Sequence, residues 1–262
     1  MKELLTLMFA GFVVLTAAAK VVVYENDFEG YQLGEVRRPV QDAEPFMEHN
    51  VTNWLYCEVE GTCGVDNSKG VHCYLLKNDG QRATGGAQFD TGLAPRVFST
   101  RLIAVYEAAW KGSNLASIDL TDGTNLFFRL YSNGTTARRV GVTNLNAAAF
   151  VELAGEDGDP SKVAFSPRYG VFRIHVLFPE GQIFLIERDF EGVSYQYPQS
   201  GLYGMPGIFP THLGGGVNAR SYAPNYDRNC YIDDLKVATV PEPACLAVLA
   251  AIGLFFAAGR KR

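Results

Sequence analysis

Between Val171 and Arg188 the sequence repeats with a period of two, and this constrains the chain more than any other feature. Phe172, Ile174, Val176 and Phe178 alternate with Val171, Arg173, His175 and Leu177, giving one wholly apolar face and one mixed face. Pro179-Glu180-Gly181 then reverses the chain, and Gln182 to Ile186 returns as a second strand. Further strand-like runs lie at 20–28, 71–77, 87–90, 97–106, 115–120, 125–131, 140–143, 150–153 and 231–238. Breakers separate them: Asn78-Asp79-Gly80, Asp122-Gly123, Asn133-Gly134 and the stretch 155–160. Helical periodicity is scarce, and 194–228 reads as loop. Many short strands divided by turns predict an all-β fold, an antiparallel β-sandwich or jelly roll, in one domain over 20–239.

The chain has a formal net charge of −5. An acidic balance argues against nucleic acid as a partner, because phosphate contacts need clustered cations. Four cysteines precede the tail: Cys57, Cys63, Cys73 and Cys230. In an oxidising compartment an even number favours disulfides, and four allow three pairings. Since three are clustered early, complete pairing ties at least one of them to the final strand. The Cys-x5-Cys-x9-Cys spacing lacks the close-set pairs of a zinc site.

The two ends read as address labels. Lys2 and Glu3 precede an apolar run, Leu4 to Leu15, too short to span a bilayer, and Ala17 and Ala19 supply the small residues a signal peptidase requires. Residues 1–19 are therefore read as a signal peptide for Sec-type export machinery. At the other end, Pro241-Glu242-Pro243 is followed by the uncharged run Ala244–Gly259 and then by Arg260, Lys261 and Arg262. As a helix 244–259 spans about 24 Å, a short membrane anchor, and the basic cluster keeps its end in the cytoplasm. The segment 240–262 resembles the PEP-CTERM sorting signal of Gram-negative bacteria. The resemblance implies recognition of Pro241, Glu242 and Pro243 by an exosortase-type protease. It also implies export across the inner membrane, a membrane stage through the C-terminal helix, and a final place at the cell surface or outside the cell.

A second resemblance covers the domain. Asp27-Phe28-Glu29-Gly30-Tyr31 near the start, the 171–188 hairpin and Tyr231-Ile232-Asp233-Asp234-Leu235 at the end look like the concanavalin A-like lectin/glucanase sandwiches, laminin G-like modules included. It implies that the first and last strands pair. Glycosidases on such folds carry Glu-x-Asp-x-x-Glu, which is missing here; the nearest pair, Asp119 and Asp122, reads as turn residues. Arg173-Ile174-His175 partly echoes the Gln-Ile-His strand of jelly-roll polysaccharide lyases, with Arg in the place of Gln, and reads as a solvated strand face. No nucleophile elbow, phosphate loop or zincin helix occurs.

The expected function is therefore non-catalytic: a carbohydrate-binding or matrix-type surface protein. The alternatives are a polysaccharide-degrading enzyme on the same fold and a purely structural exopolysaccharide-associated protein. Aromatic platforms for a glycan are sought among Tyr195, Tyr197, Tyr203, Tyr222 and Tyr226, with Arg220 beside them, and in Trp54, Tyr56 and Trp110. No cofactor is required. A structural Ca²⁺ is expected from Asp27, Glu29 and Asp234, with Asp27 and Glu29 on one face of the first strand. The competing reading has Asp233 capping a neighbouring backbone group.

Overall fold

The computed structural model describes residues 20–35, 43–47, 55–75, 83–112, 116–133, 139–144, 149–152, 169–190, 192–219 and 229–241. The leader with Ala17 and Ala19, and Trp54, Arg220, Tyr222, Tyr226, Glu242, Pro243 and the tail from 244 to Arg262 lie outside the described residues. Among the described residues no helix is long and apolar enough to cross a membrane.

The described residues form sixteen strands: β1 (Val21–Asn26), β2 (Gly34–Glu35), β3 (Ala43–Met47), β4 (Leu55–Glu60), β5 (Gly70–Leu75), β6 (Ala83–Asp90), β7 (Leu102–Gly112) and β8 (Ala116–Thr121), followed by β9 (Leu126–Asn133), β10 (Arg139–Asn144), β11 (Ala149–Glu152), β12 (Gly170–Phe178), β13 (Gln182–Phe190), β14 (Val193–Tyr203), β15 (His212–Ala219) and β16 (Asn229–Pro241). They form two antiparallel sheets. The nine-stranded sheet runs β14-β13-β12-β7-β16-β5-β4-β2, with β1 also on β16; the seven-stranded sheet runs β11-β10-β9-β8-β15-β6-β3. The expected pairing of the first and last strands is present, with Val21 opposite Thr239 and Glu25 opposite Lys236.

The hairpin read from the sequence forms as β12 and β13, and its reversal uses Gly181 at φ +67°. Phe172, Ile174, Val176 and Phe178 point between the sheets, where they meet Tyr106, Trp110, Ile186 and Phe98 in one continuous core. Burying side chains of this size stabilises the fold by about 1.5–3 kcal/mol each. Trp110 and Phe172 stack edge to face with centroids 5.2 Å apart, and the Trp110 indole N–H donates to the Cys230 thiol at 3.3 Å.

Several boundaries differ from those expected. Residues Pro95–Ser99 form a 3-10 turn instead of the start of a strand: Pro95 has no N–H for a ladder, and Val97 and Thr100 donate their N–H groups to Ala94 and Val97. β7 is buried on both faces over most of its length and so lacks the alternation that betrays a strand. The stretch read as loop contains β14 and β15. Pro198 lies in β14, which pairs only with β13 among the described strands, and three consecutive glycines lie in β15. β16 continues to Pro241, opposite Leu102, so the first residue of Pro241-Glu242-Pro243 is paired within the sheet.

β1 stops at Asn26, and Asp27 and Glu29 belong to the turn beyond it, not to a strand face. Phe28 takes φ +59°, rare for a bulky residue, and is fully buried against Phe89 at 4.9 Å. The Asn26 side chain accepts the Phe28 N–H at 3.0 Å and fixes the turn.

Candidate functional site

In a two-sheet sandwich, the outer faces are where polar side chains can meet a ligand without opening the core. On the seven-stranded sheet, Ile118, Leu120, Phe128 and Leu130 turn inward, which leaves Ser117, Asp119, Thr121 and Arg129 on the outer face. Register sets Gln88 of β6 and Asp119 of β8 on either side of Gly214, and Thr121 beside His212. All but His212 are buried: Gln88 is 1 %, Asp119 5 %, Thr121 0 % and Arg129 2 % exposed.

Asp119 and Arg129 stand directly opposite each other and form a bidentate pair, Nε to Oδ1 at 2.7 Å and Nη2 to Oδ2 at 2.9 Å. Gln88 links two strands. Its amide donates to the Gly123 carbonyl at 2.6 Å, and its oxygen accepts a short bond from the Thr121 hydroxyl, which in turn accepts the Gly123 N–H at 3.2 Å. His212 Nδ1 lies 2.9 Å from the Thr211 hydroxyl, and its ring borders Gly123. The face thus carries an amide, a hydroxyl, a guanidinium–carboxylate fork and an imidazole on fixed backbone.

This corrects one reading. Asp119 is not a turn residue but a buried mid-strand residue with a cross-strand partner. Asp122 does hold the turn: its carboxylate accepts the N–H groups of Thr124 at 2.9 Å and Asn125 at 2.6 Å. These bonds keep its carboxyl below the ordinary range although partial burial opposes them.

The other outer face, on the nine-stranded sheet, holds Arg173 and His175. Both point away from the core as expected, but His175 is 3 % exposed, so the face there is not solvated. His175 Nε2 meets Glu187 Oε2 at 2.7 Å, and Gln196 donates to Glu187 Oε1 at 3.0 Å. Arg173 is taken up by Glu107, through a short bond from Nε, and by Asp189 at 2.5 Å. Burial alone would lower the Arg173 pKa; the Asp189 bond and the Glu107 charge raise it on balance. Ile103, Val105 and Val240 form a small apolar cluster beside them, with Leu177 and Phe184 packed against it. The hydrogen bond from His175 holds the Glu187 carboxyl below its ordinary value. A depressed folded-state carboxyl stabilises above the unfolded pKa and loses that contribution as pH falls through the folded pKa. Glu187→Gln is therefore expected to lower stability at pH 7 and to flatten the acid limb below about pH 4.3; urea midpoints at pH 7 and pH 3 check this, and equal losses at both would refute it.

The three residues expected around Ca²⁺ are only partly brought together. Asp27 accepts the Glu29 N–H at 3.1 Å, and Glu29 Oε1 accepts the Lys69 N–H at 2.8 Å. The Lys69 ammonium binds the carbonyls of Glu29 at 2.7 Å and Tyr31 at 3.0 Å. Asp234, exposed and at φ +46°, has its carboxyl raised by burial of the charged form and then by the charge of Asp27, followed by Glu107, Glu25 and Asp66. Among the described residues no group of three His, Cys, Asp or Glu side chains is placed to hold a metal ion. Asp233 caps: its carboxylate accepts Val65 N–H at 2.7 Å, Ser68 O–H at 3.0 Å and Asp234 N–H at 2.8 Å. Asp233→Ala is expected to cost about 1–3 kcal/mol, since it strands these donors, as thermal melting would register.

Of the described aromatics, Trp110 and Tyr197 are core residues, Tyr195 packs against the core, and Tyr203 is 41 % exposed. Among the described residues Cys57, Cys63, Cys73 and Cys230 are free thiols, and the bridge expected to reach Cys230 is not made there. The Cys230 thiol faces the opposite sheet and donates to the Ser117 carbonyl at 3.5 Å. Cys63 sits in the turn after β4, its thiol donating to the Glu60 carbonyl at 3.8 Å, and burial pushes its pKa up to about 11.

No protein-family model matches the chain, and no curated protein sequence matches it. Solved structures do resemble it. An endo-β-1,4-glucuronan lyase from the fungus Trichoderma reesei is 8 % identical, with 83 % of this chain and 95 % of that one covered at a TM-score of 0.46. A conserved carbohydrate esterase from the Shiga toxin-encoding bacteriophage phi24B is 11 % identical over 85 % of this chain and 99 % of that one, at 0.45. A xylan-binding domain of Paenibacillus barcinonensis Xyn10C is 10 % identical over 82 % and 98 %, at 0.32. At that level of similarity no residue of this chain acquires a role.

Proposed function

We propose that the chain is an exported, non-catalytic glycan-binding module, delivered by its leader and handed to an exosortase-type system by its Pro-Glu-Pro tail. The observation that carries the binding role is the outer face of the seven-stranded sheet. His212 is the partly exposed group that a ligand can reach there, and Gln88, Asp119, Thr121 and Arg129, buried in adjoining register, fix the surface around it. Sugars are recognised through accessible hydrogen-bonding side chains held on rigid backbone. Catalysis finds less support. Asp119 is neutralised by Arg129, and the Arg173 guanidinium beside His175 is committed to Glu107 and Asp189 and so is not open to a substrate carboxylate.

The test is a polysaccharide panel on the exported protein, with and without Ca²⁺, scoring retention and release of reducing or unsaturated ends. Retention without product is expected. His212→Ala is expected to weaken retention about tenfold, or 1.4 kcal/mol, while leaving the melting curve in place. Product release abolished by His175→Ala would replace the binding role with a lyase. Failure of every glycan on folded protein would leave a structural matrix role.

A further inference from the structure

Three of the four cysteines that precede the tail stand in a row across adjacent strands. Cys57 of β4 is directly opposite Cys73 of β5, and Cys73 is directly opposite Cys230 of β16. All three are buried. The row is not evenly engaged. The Cys57 and Cys73 sulfurs are 2.7 Å apart, whereas Cys230 is held by the Trp110 indole at 3.3 Å and by the Ser117 carbonyl at 3.5 Å. Beyond Cys57, the Cys73 thiol meets backbone alone, the Gly215 carbonyl at 3.9 Å and the backbone of Ala87.

We propose that Cys57 and Cys73 are an oxidation site that closes to a cross-strand disulfide as the chain folds, and that Cys63 and Cys230 remain thiols. Opposed residues on neighbouring antiparallel strands bring their Cβ atoms to about 4.5–5.5 Å, close to the separation a disulfide requires, without moving either strand far. Cys73 can bond to one neighbour only. Its partner on the other side is occupied with the opposite sheet, so register and hydrogen bonding select Cys57.

The oxidant is an external disulfide, small-molecule or carried by a protein. One cysteine thiolate attacks it, forms a mixed disulfide and expels the first half as a thiol. The second thiolate then attacks the protein-side sulfur and expels the other half. Two thiol protons leave the protein, and its two electrons reduce the external disulfide to two thiols. Burial raises the Cys73 and Cys230 pKa well above the ordinary thiol value. Exchange therefore belongs to the period before the sheets close; afterwards Cys230, protonated and enclosed, does not attack the bridge.

The pairing does not depend on export; only the place of oxidation does, and two arms separate them. In the first, the full chain is unfolded, reduced and refolded in a mixture of oxidised and reduced glutathione, then acid-trapped, alkylated and mapped by mass spectrometry. A linked Cys57–Cys73 peptide with alkylated Cys63 and Cys230 is expected, retained in Cys230→Ser, and reduction should lower the melting temperature by about 5–10 °C. Alkylation of both Cys57 and Cys73, or a link of either to Cys63, Cys230 or Cys245, would overturn the pairing. In the second arm, the protein is isolated from cells under acid trapping, and the same link is expected. Thiols there, with the bridge formed on refolding, would count against export and leave the pairing standing.

Discussion

Replacing Arg129 by methionine is expected to lower stability by about 3–5 kcal/mol, a large part of what a single domain has to lose. The cause is not the lost ion pair as such. Asp119 is 5 % exposed and would be left buried without its partner, with both fork hydrogen bonds gone. The double variant Asp119→Leu with Arg129→Met removes the stranded charge and is expected to recover most of the loss, because desolvating two ions opposes their attraction. Urea denaturation of the single and double variants gives the coupling directly. A cost below about 1 kcal/mol for Arg129→Met would show that water enters the face and that the pair is held loosely. The double variant also serves the functional reading: if it folds but is no longer retained by glycans, the fork contributes recognition and not only stability.

What could be read in advance follows from where periodicity survives. The β12–β13 hairpin was legible because one of its faces packs in the core while Arg173 and His175 alternate on the other. β16 was legible for a similar reason, and its pairing with β1 was implied by family resemblance. β7 lost its alternation because it is the central strand, buried on both faces, and β15 because three glycines replace side chains. The candidate face was missed for a related cause. Asp119 stands three residues before Asp122 and Gly123, and sequence proximity made it look like part of their turn. The signal that would have found it is the cross-strand Asp119–Arg129 pairing, a hairpin register around the 122–125 turn. Strand alternation through Ile118, Asp119 and Leu120 and through Phe128, Arg129 and Leu130 sets both charges on the same side.

The cysteines show the complementary limit. Spacing left three pairings open, and only the sheet order, which inserts β5 between β4 and β16, makes Cys73 the central thiol. His175 is similar: a strand pattern places it on the outer face, but only the structure shows that the face is closed over it and that Glu187 takes its Nε2.

Gly214→Ala is the second severe change, expected to remove more than about 3 kcal/mol or to prevent folding. A Cβ built on Gly214 would come within 2.0 Å of the Ala87 carbonyl oxygen and 2.7 Å of the Gln88 Cα. Both are backbone atoms of β6, an interior strand held by β3 on its other side, so neither can retreat as a flexible side chain would. Gly86 and Gly215 meet the same condition, with neighbouring carbonyls at 2.0 Å and 2.3 Å. The glycine run therefore brings β6, β15 and β8 close at the position where Gln88 and Asp119 flank Gly214. Gly30→Ala is the control: nothing lies within 4 Å of its Cβ position, and it should melt within about 0.5 kcal/mol of the parent. Soluble yield, near-ultraviolet circular dichroism and urea midpoints for the two variants decide the matter. If Gly214→Ala is as stable as Gly30→Ala, the strands can spread by more than half an ångström at little cost. The outer face would then be a pliable surface, and a binding role would have to rest on groups ordered by the ligand instead of on groups set beforehand.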